Sequence, residues 1–261
     1  MPEAIAAPFF AFQAVSKAFA GNPVLREVSF DVRPGETVCI VGRSGVGKSV
    51  TLRLLMGFLK PDAGRVIAAG HDITAWPEAR LTELHKKVTL VFQSGALFDS
   101  LTVGENVAFP LREQDRLPEE DVREVVDRLL EMLEIGRFRD EHPAALSTGM
   151  KRAVAIARAL AARPEAILYD EPTTMVDPMM VHVIADLMRK VREQVQLTSV
   201  VVTHDTRLAR MIGDRLVFLH EGQARFFGTI ADMDASTDEV LRTFLRQDEG
   251  SLLTPAGRAS G

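Results

Sequence analysis

Gly42, Arg43, Ser44, Gly45, Val46, Gly47, Lys48 and Ser49 satisfy G-x-x-x-x-G-K-[ST] at every fixed position, and few strings of eight leave a chain so little choice of architecture. The flanks agree. Residues 36–41 (ETVCIV) read as a short buried strand, and residues 50–56 (VTLRLLM) as the first turns of a helix. Strand, glycine-rich loop and helix form the setting in which this string cradles phosphate. The glycines let backbone N–H groups turn inward around phosphate oxygens, and the helix N-terminus adds partial positive charge. Lys48 is placed to reach the β- and γ-phosphates, and the Ser49 hydroxyl to ligate Mg²⁺. The plainer alternative, a glycine turn that merely opens a helix, loses to a complete match in the right context.

A phosphate loop names a nucleotide and not a reaction, so composition bounds the rest. The 261 residues, 46% hydrophobic and 26% charged, suit one large domain or two small ones. A net charge of −5 argues against a strongly basic nucleic-acid footprint, although not against a local patch. Cys39 is the only cysteine, so no intrachain disulfide can form, in keeping with a cytosolic site. No apolar run reaches the roughly 18–20 residues that span a bilayer. The start, Met1-Pro2-Glu3-Ala4, lacks the basic opening of a signal peptide. The expectation is a chain that meets any membrane through a partner.

Along the chain, residues 9–15, 24–32 and 37–41 read as strands, with further strands at 65–70 and 88–92. From 104 to 162 the period turns helical: Val122, Val125, Val126, Leu129, Leu130 and Leu133 recur on one face. Apolar runs at 166–169 and 199–203 suit parallel strands covered on both faces. A hairpin-like piece spans 216–226, and the last dozen residues read as a loose tail. The coarse result is one α/β nucleotide-binding domain over 1–261. Its core is 1–92 plus 164–230, its helical insertion 93–163 and its C-terminal extension 231–261. The helix-like run 238–245 could dock on its own chain or on a second copy.

Other elements narrow the chemistry. Residues 167–172 (ILYDEP) form an apolar strand ending in two acids. Asp170 would hold Mg²⁺ across from Ser49, and Glu171 would polarise an attacking water. His204 follows the strand at 199–203, at the sheet edge where ligands bind, and reads as a γ-phosphate sensor. Gln93 closes the strand at 88–92, where its side chain could reach metal or water as the backbone enters the insertion. Ser147, in Leu146-Ser147-Thr148-Gly149-Met150, is either a helix N-cap or a second phosphate grip.

In this order, these elements resemble the ATP-binding cassette (ABC) ATPases, over about residues 12–227. The resemblance implies an α/β P-loop NTPase fold with a RecA-like core, an N-terminal antiparallel β subdomain and an inserted helical subdomain. It implies ATP and Mg²⁺ as ligands. Residues 42–49 correspond to the Walker A motif, with Val50 after it, and 167–171 to Walker B. Gln93 matches the Q-loop, 146–150 the signature, Asp177 the D-loop and His204 the H-loop, while Phe19 sits where the family stacks adenine. Ser49, Gln93 and Asp170 would thus face the metal; Glu171, His204 and Gln93 would serve hydrolysis. Three departures point to lower ATP affinity or turnover. The signature reads Leu-Ser-Thr-Gly-Met, with Thr148 narrowing the backbone approach; Val50 replaces a hydroxyl residue; and Met175 replaces a glycine.

The family further implies a head-to-tail homodimer, each ATP held between one phosphate loop and the other copy's Ser147 and Gly149. Residues 92–113 (FQSGALFDSLTVGENVAFPLRE) look like the post-Q-loop segment of ATPase subunits in Mla/Mce-type phospholipid transporters. That likeness implies a MlaE-like permease, an Mce-domain lipid-binding protein and a STAS-domain regulator as partners, at the cytoplasmic face of an inner membrane. Alternatively, Leu97 and Phe98 simply pack under the helical insertion. A small-solute importer or a cell-division complex would share every catalytic motif. A non-transport machine acting on nucleic acid or ribosomes is disfavoured by the single cassette, the lack of long coiled-coil or zinc insertions and the acidic balance.

Overall fold

The computed structural model describes residues 7–113, 117–176 and 178–250, and it sets two sheets and a block of helices around the phosphate loop. The first sheet is antiparallel, in the order β2-β1-β4-β5, from β1 (Phe10–Phe19), β2 (Asn22–Val32), β4 (Ala63–Ala68) and β5 (His71–Asp72). The second contains β3 (Thr37–Val41), β6 (Val88–Val91), β7 (Ala166–Asp170), β8 (Thr198–Thr203), β9 (Arg215–His220) and β10 (Gln223–Thr229), in the order β10-β9-β3-β8-β7-β6. All its pairings are parallel except the β9–β10 edge hairpin.

The central strands are buried on both faces, which is why they read as unbroken apolar runs. Alternate residues feed two separate cores. Val38, Ile40, Leu168, Val200 and Val202 face the side of the antiparallel sheet. Cys39, Val41, Ile167, Tyr169 and Val201 face the helices. Burial, aided by Asp214, pushes the Cys39 thiol up to about 12, so it serves as a small apolar side chain. Arg215 joins the sheets: its Nη2 lies 2.8 Å from Asp31 Oδ2 and 2.7 Å from Glu36 Oε2, and its Nε also meets Glu36.

Helices α3 (Val103–Glu113), α4 (Glu119–Met132) and α5 (Thr148–Ala161) fall between β6 and β7. In α4, Val122, Val126 and Leu130 are buried at a four-residue spacing, and Glu119, Glu120 and Asp121 complement the dipole at its start. Ahead of α3, Thr102 and Glu105 exchange hydrogen bonds in a capping box, at 2.8 and 3.2 Å. The remaining helices are α1 (Lys48–Leu55), α2 (Glu78–Lys87), α6 (Pro178–Val195), α7 (Thr206–Ile212), α8 (Ile230–Ala235) and α9 (Glu239–Gly250).

The structure refines several expectations. β1 runs past residue 15 to Phe19, because a register shift between Phe12 and Val15, with Ala14 at φ 50°, breaks the alternation without ending the pairing. The strand expected at 65–70 lies at Ala63–Ala68. Helix α2 was not legible, since only Leu81 and Leu84 of its ten residues are buried. Helix α9 packs on its own chain through Leu241, Phe244 and Leu245, with the Phe244 and Phe218 rings 4.9 Å apart. Most of the tail expected at the C-terminus, 251–261, lies outside the described residues. Among the described residues, no helix is long and apolar enough to cross a membrane.

Candidate functional site

Registers along the central sheet bring its C-terminal ends together: Val41 sits beside Thr203, and Asp170 beside Val202. The phosphate loop leaves β3 there, Glu171 follows β7 and His204 follows β8. A cavity of about 740 Å³ opens at this edge. Its walls include Phe19, Arg43, Ser44, Gly45, Gly47, Lys48, Ser49, Val50, Gln93, Glu171 and His204, all anticipated from sequence. Gly42 and Val46 shape the loop from behind: the Gly42 carbonyl accepts from Lys48, and Val46 packs towards the apolar core. Gly47 is required where it stands. Its φ is 109°, and a Cβ there would meet Leu25 Cδ2 at 2.6 Å.

Lys48 is buried, and its Nζ donates to the carbonyls of Gly42 and Arg43 at 2.8 and 3.1 Å. The same nitrogen lies 3.2 Å from Glu171 Oε1. The other carboxylate oxygen, Oε2, lies 2.7 Å from His204 Nδ1 and 3.3 Å from Thr174 Oγ1. Burial works against the Glu171 charge, but the His204 hydrogen bond and the Lys48 charge outweigh it and hold the carboxyl below its ordinary range. The His204 ring moves up, chiefly through that hydrogen bond, against partial burial and the charge of Lys48. Glu171 also sits at φ 49°, a left-handed conformation uncommon outside glycine.

Ser49 Oγ donates to Asp170 Oδ1 at 3.1 Å. Burial raises the Asp170 carboxyl, partly offset by this bond. A hydroxyl and a carboxylate so close are hard oxygen donors suited to Mg²⁺, and few enough to leave positions for phosphate oxygens and water. Gln93 lines the same cavity and is exposed. Among the described residues, no group of three or more His, Cys, Asp or Glu is placed to hold a metal ion by itself. Phe19 stays 42% exposed at the rim, with Lys17 Nζ 5.5 Å from its ring centre.

Two expected residues stand apart from the cavity. Ser147 accepts the Met150 backbone N–H at 3.3 Å and caps α5. Gly149 lies two residues further, where a Cβ would sit 1.8 Å from the Met180 methyl. Asp177 lies outside the described residues.

The structure adds residues that sequence reading missed. Buried Arg152 donates to Phe92 O at 3.2 Å and contacts Thr174 O at 3.5 Å, joining the turn after Glu171 to the residue before Gln93. Arg158 donates to Gly95 O at 3.0 Å. Phe244, Gln247 and Asp248 of α9 complete the cavity wall. Beyond Gln93, Leu97 packs against the helical core while Phe98 stays 42% exposed, its ring 4.7 Å from that of Phe109.

The family model for ABC transporters matches residues 25–174. The chain is 37% identical to the methionine import ATP-binding protein MetN of Caulobacter vibrioides, over 94% of this chain and 75% of the relative. A MetN of Cupriavidus metallidurans is also 37% identical, over 85% of this chain and 65% of its own length. The probable ribonucleotide transport ATP-binding protein mkl of Mycobacterium leprae is 32% identical, over 94% and 70%. Among solved structures, the ATP-binding cassette MJ0796, a dimer bound to ADP and Pi in a post-hydrolysis state, is 34% identical, with TM-score 0.76 over 85% of this chain and 98% of that one. CbiO1 of Clostridium perfringens, part of the ABC transporter complex CbiONQ, is 28% identical, with TM-score 0.83 over 94% and 98%.

Proposed function

This chain belongs to the ABC transporter family, as its ATP-binding and ATP-hydrolysing domain, and on that premise we propose how its residues divide the work and what they drive. The observation that carries the assignment of roles is the cluster of Lys48, Glu171 and His204, held within 3.2 Å contacts on one wall of the phosphate-loop cavity.

ATP places its adenine against Phe19 and its phosphates within the loop from Gly42 to Ser49. The loop amides and Lys48 meet the β- and γ-phosphates. Lys48 and His204 both hold Glu171, so an arriving γ-phosphate competes with that carboxylate for both partners and frees it to accept a proton. Glu171 is held ionised at neutral pH, as a base must be. It takes the proton of a water whose oxygen bonds to the γ-phosphorus as the bond to the ADP oxygen breaks. His204 steadies the phosphate and the water. Ser49, Asp170 and Gln93 are the residues that would hold Mg²⁺, which when bound neutralises charge on the β- and γ-oxygens. Ser147, Gly149 and Asp177 act across a homodimer, as the dimeric relative supports. Val50 lines the cavity without a hydroxyl, so that phosphate contact is missing.

The transported substrate is read from residues 92–113. Phe92, Phe98 and Phe109 are exposed there; buried Asn106 ties down the loop bearing Phe98, whose ring lies 4.7 Å from that of Phe109 on α3. Such an apolar patch suits a short helix of a membrane partner. Its likeness to Mla/Mce-type ATPase subunits supports a phospholipid transporter with a MlaE-like permease, an Mce-domain protein and a STAS-domain regulator, on the cytoplasmic face of an inner membrane. The names of the relatives favour a second reading, a small-solute importer. Pull-down of the tagged Glu171→Gln protein with ATP from detergent-solubilised native membranes separates them. Recovery of a MlaE-like permease with an Mce-domain protein supports phospholipid. Recovery of a solute permease removes phospholipid and keeps the ATPase.

A further inference from the structure

Helix α9 gives the nucleotide cavity a wall that none of the loop motifs supplies. Its Leu241, Phe244 and Leu245 are buried, and a helix needed only to cover apolar surface would stop there. Its last described turns instead reach two of the loops that build the site. Asp248 Oδ2 accepts the Thr206 backbone N–H at 2.8 Å and the Thr206 hydroxyl as well. Thr206 is fully buried and opens α7 two residues after His204. One residue before Asp248, Gln247 Oε1 accepts from Arg43 Nη2 at 2.6 Å. Arg43 belongs to the phosphate loop. Gln247 and Asp248 both line the cavity that holds Lys48 and Glu171.

We infer that Gln247 and Asp248 are positioning residues of the ATP site, which hold phosphate-loop Arg43 and the turn bearing His204 in place while α9 is seated. The inference rests on the ATPase reading above and adds a C-terminal support to that site. The two contacts differ in weight. The Asp248–Thr206 contact is partly buried and charge-assisted, so it governs the His204 turn and hence the chemical step. The Gln247–Arg43 bond is exposed, so it has the smaller effect and acts on phosphate binding.

The test uses the full chain with Mg²⁺ and ATP. Asp248→Ala should lower kcat about fivefold or more, the worth of roughly one hydrogen bond, with a smaller change in KM. Asp248→Asn should restore most of it, because the amide oxygen still accepts both Thr206 donors and only the charge assistance is lost. Gln247→Ala should raise KM about two- to threefold, because it removes the bond that holds phosphate-loop Arg43. Amide hydrogen exchange supplies a readout independent of turnover. Peptides across residues 203–208 should exchange faster in Asp248→Ala, and those across 42–49 faster in Gln247→Ala. If Asp248→Ala melts lower yet keeps its kcat and its exchange at 203–208, α9 is only a cover and the inference fails. If the unmutated chain splits no ATP, the ATPase reading fails, and the exchange data alone decide whether α9 holds these loops.

Discussion

Asn106 allows the energy of one side chain to be worked out from its contacts. It is fully buried in the first turn of α3. Its Oδ1 accepts the Phe98 N–H at 2.9 Å, and its Nδ2 faces the carbonyls of Phe98, Leu101 and Thr102 at 3.0, 3.1 and 2.9 Å. An amide nitrogen carries two protons, so three acceptors share two donors, and three bonds are satisfied at once. At about 1 kcal/mol net per bond, Asn106→Ala should cost about 3 kcal/mol. For a domain of this size that lowers Tm by roughly 6–12 °C. Asn106→Asp should be worse, since it sets a buried charge against three carbonyl oxygens. Because these bonds shape the loop that presents Phe98, Asn106→Ala should also weaken docking of the membrane partner while the isolated chain keeps its ATP hydrolysis. Urea unfolding followed by circular dichroism measures the stability cost, and co-purification with the membrane partner beside an ATPase assay measures the docking effect. A cost under about 1 kcal/mol, or an Asp variant as stable as the parent, would refute the bond accounting.

Other expectations follow from the site. Glu171→Gln should bind ATP but lose hydrolysis by about 10²- to 10⁴-fold, read as phosphate release beside equilibrium nucleotide binding; rapid turnover would remove the general base. Ser147→Ala should cost roughly 1 kcal/mol through the lost α5 cap. If it also impairs hydrolysis at concentrations where the chain dimerises, Ser147 is a phosphate grip in addition; full activity leaves it a cap. His204 should make stability depend on pH. Its raised value, set by Glu171 and by Asp248 against Lys48 and burial, means its contribution is complete below the ordinary 6.5 and is lost as pH rises through the raised value. His204→Ala should therefore flatten the stability profile across that rise, seen in urea midpoints from mildly acid to mildly alkaline pH.

The parts of the site legible in sequence are those whose geometry is local. The phosphate loop specifies its own turn, and the strand ending in Asp170 and Glu171 needs only an apolar run before two acids. His204 was legible because it directly follows the apolar strand at 199–203, which β8 and its pairing with β3 bear out. What escaped depends on distant contacts. Arg152 and Arg158 lie on a helix whose alanines announce burial, but nothing nearby says that their heads reach the carbonyls of Phe92 and Gly95. Gln247 and Asp248 lie beyond the run that read as helical, and their partners are 204 and 42 residues away. The ends of β1 and β2 were blurred by the positive φ values of Ala14 and Glu27, which shift the register and so break the alternation. Leu97 and Phe98, weighed as a pair, divide between core and surface.

The alternate sidedness of β3 bears on how evolution or engineering can treat its length. A slip of one residue would send Val38 and Ile40 into the helical core and Cys39 and Val41 into the opposite one, so both would have to repack together. The strand is thus clamped from two sides, and the stretch from Thr37 to Lys48 behaves as a ruler with a fixed zero. Its far mark sets where the lysine stands relative to Glu171 and His204. Conservative exchanges of volume within β3 should be tolerated, whereas a single insertion or deletion there would carry the ammonium away from the carboxylate it now meets at 3.2 Å.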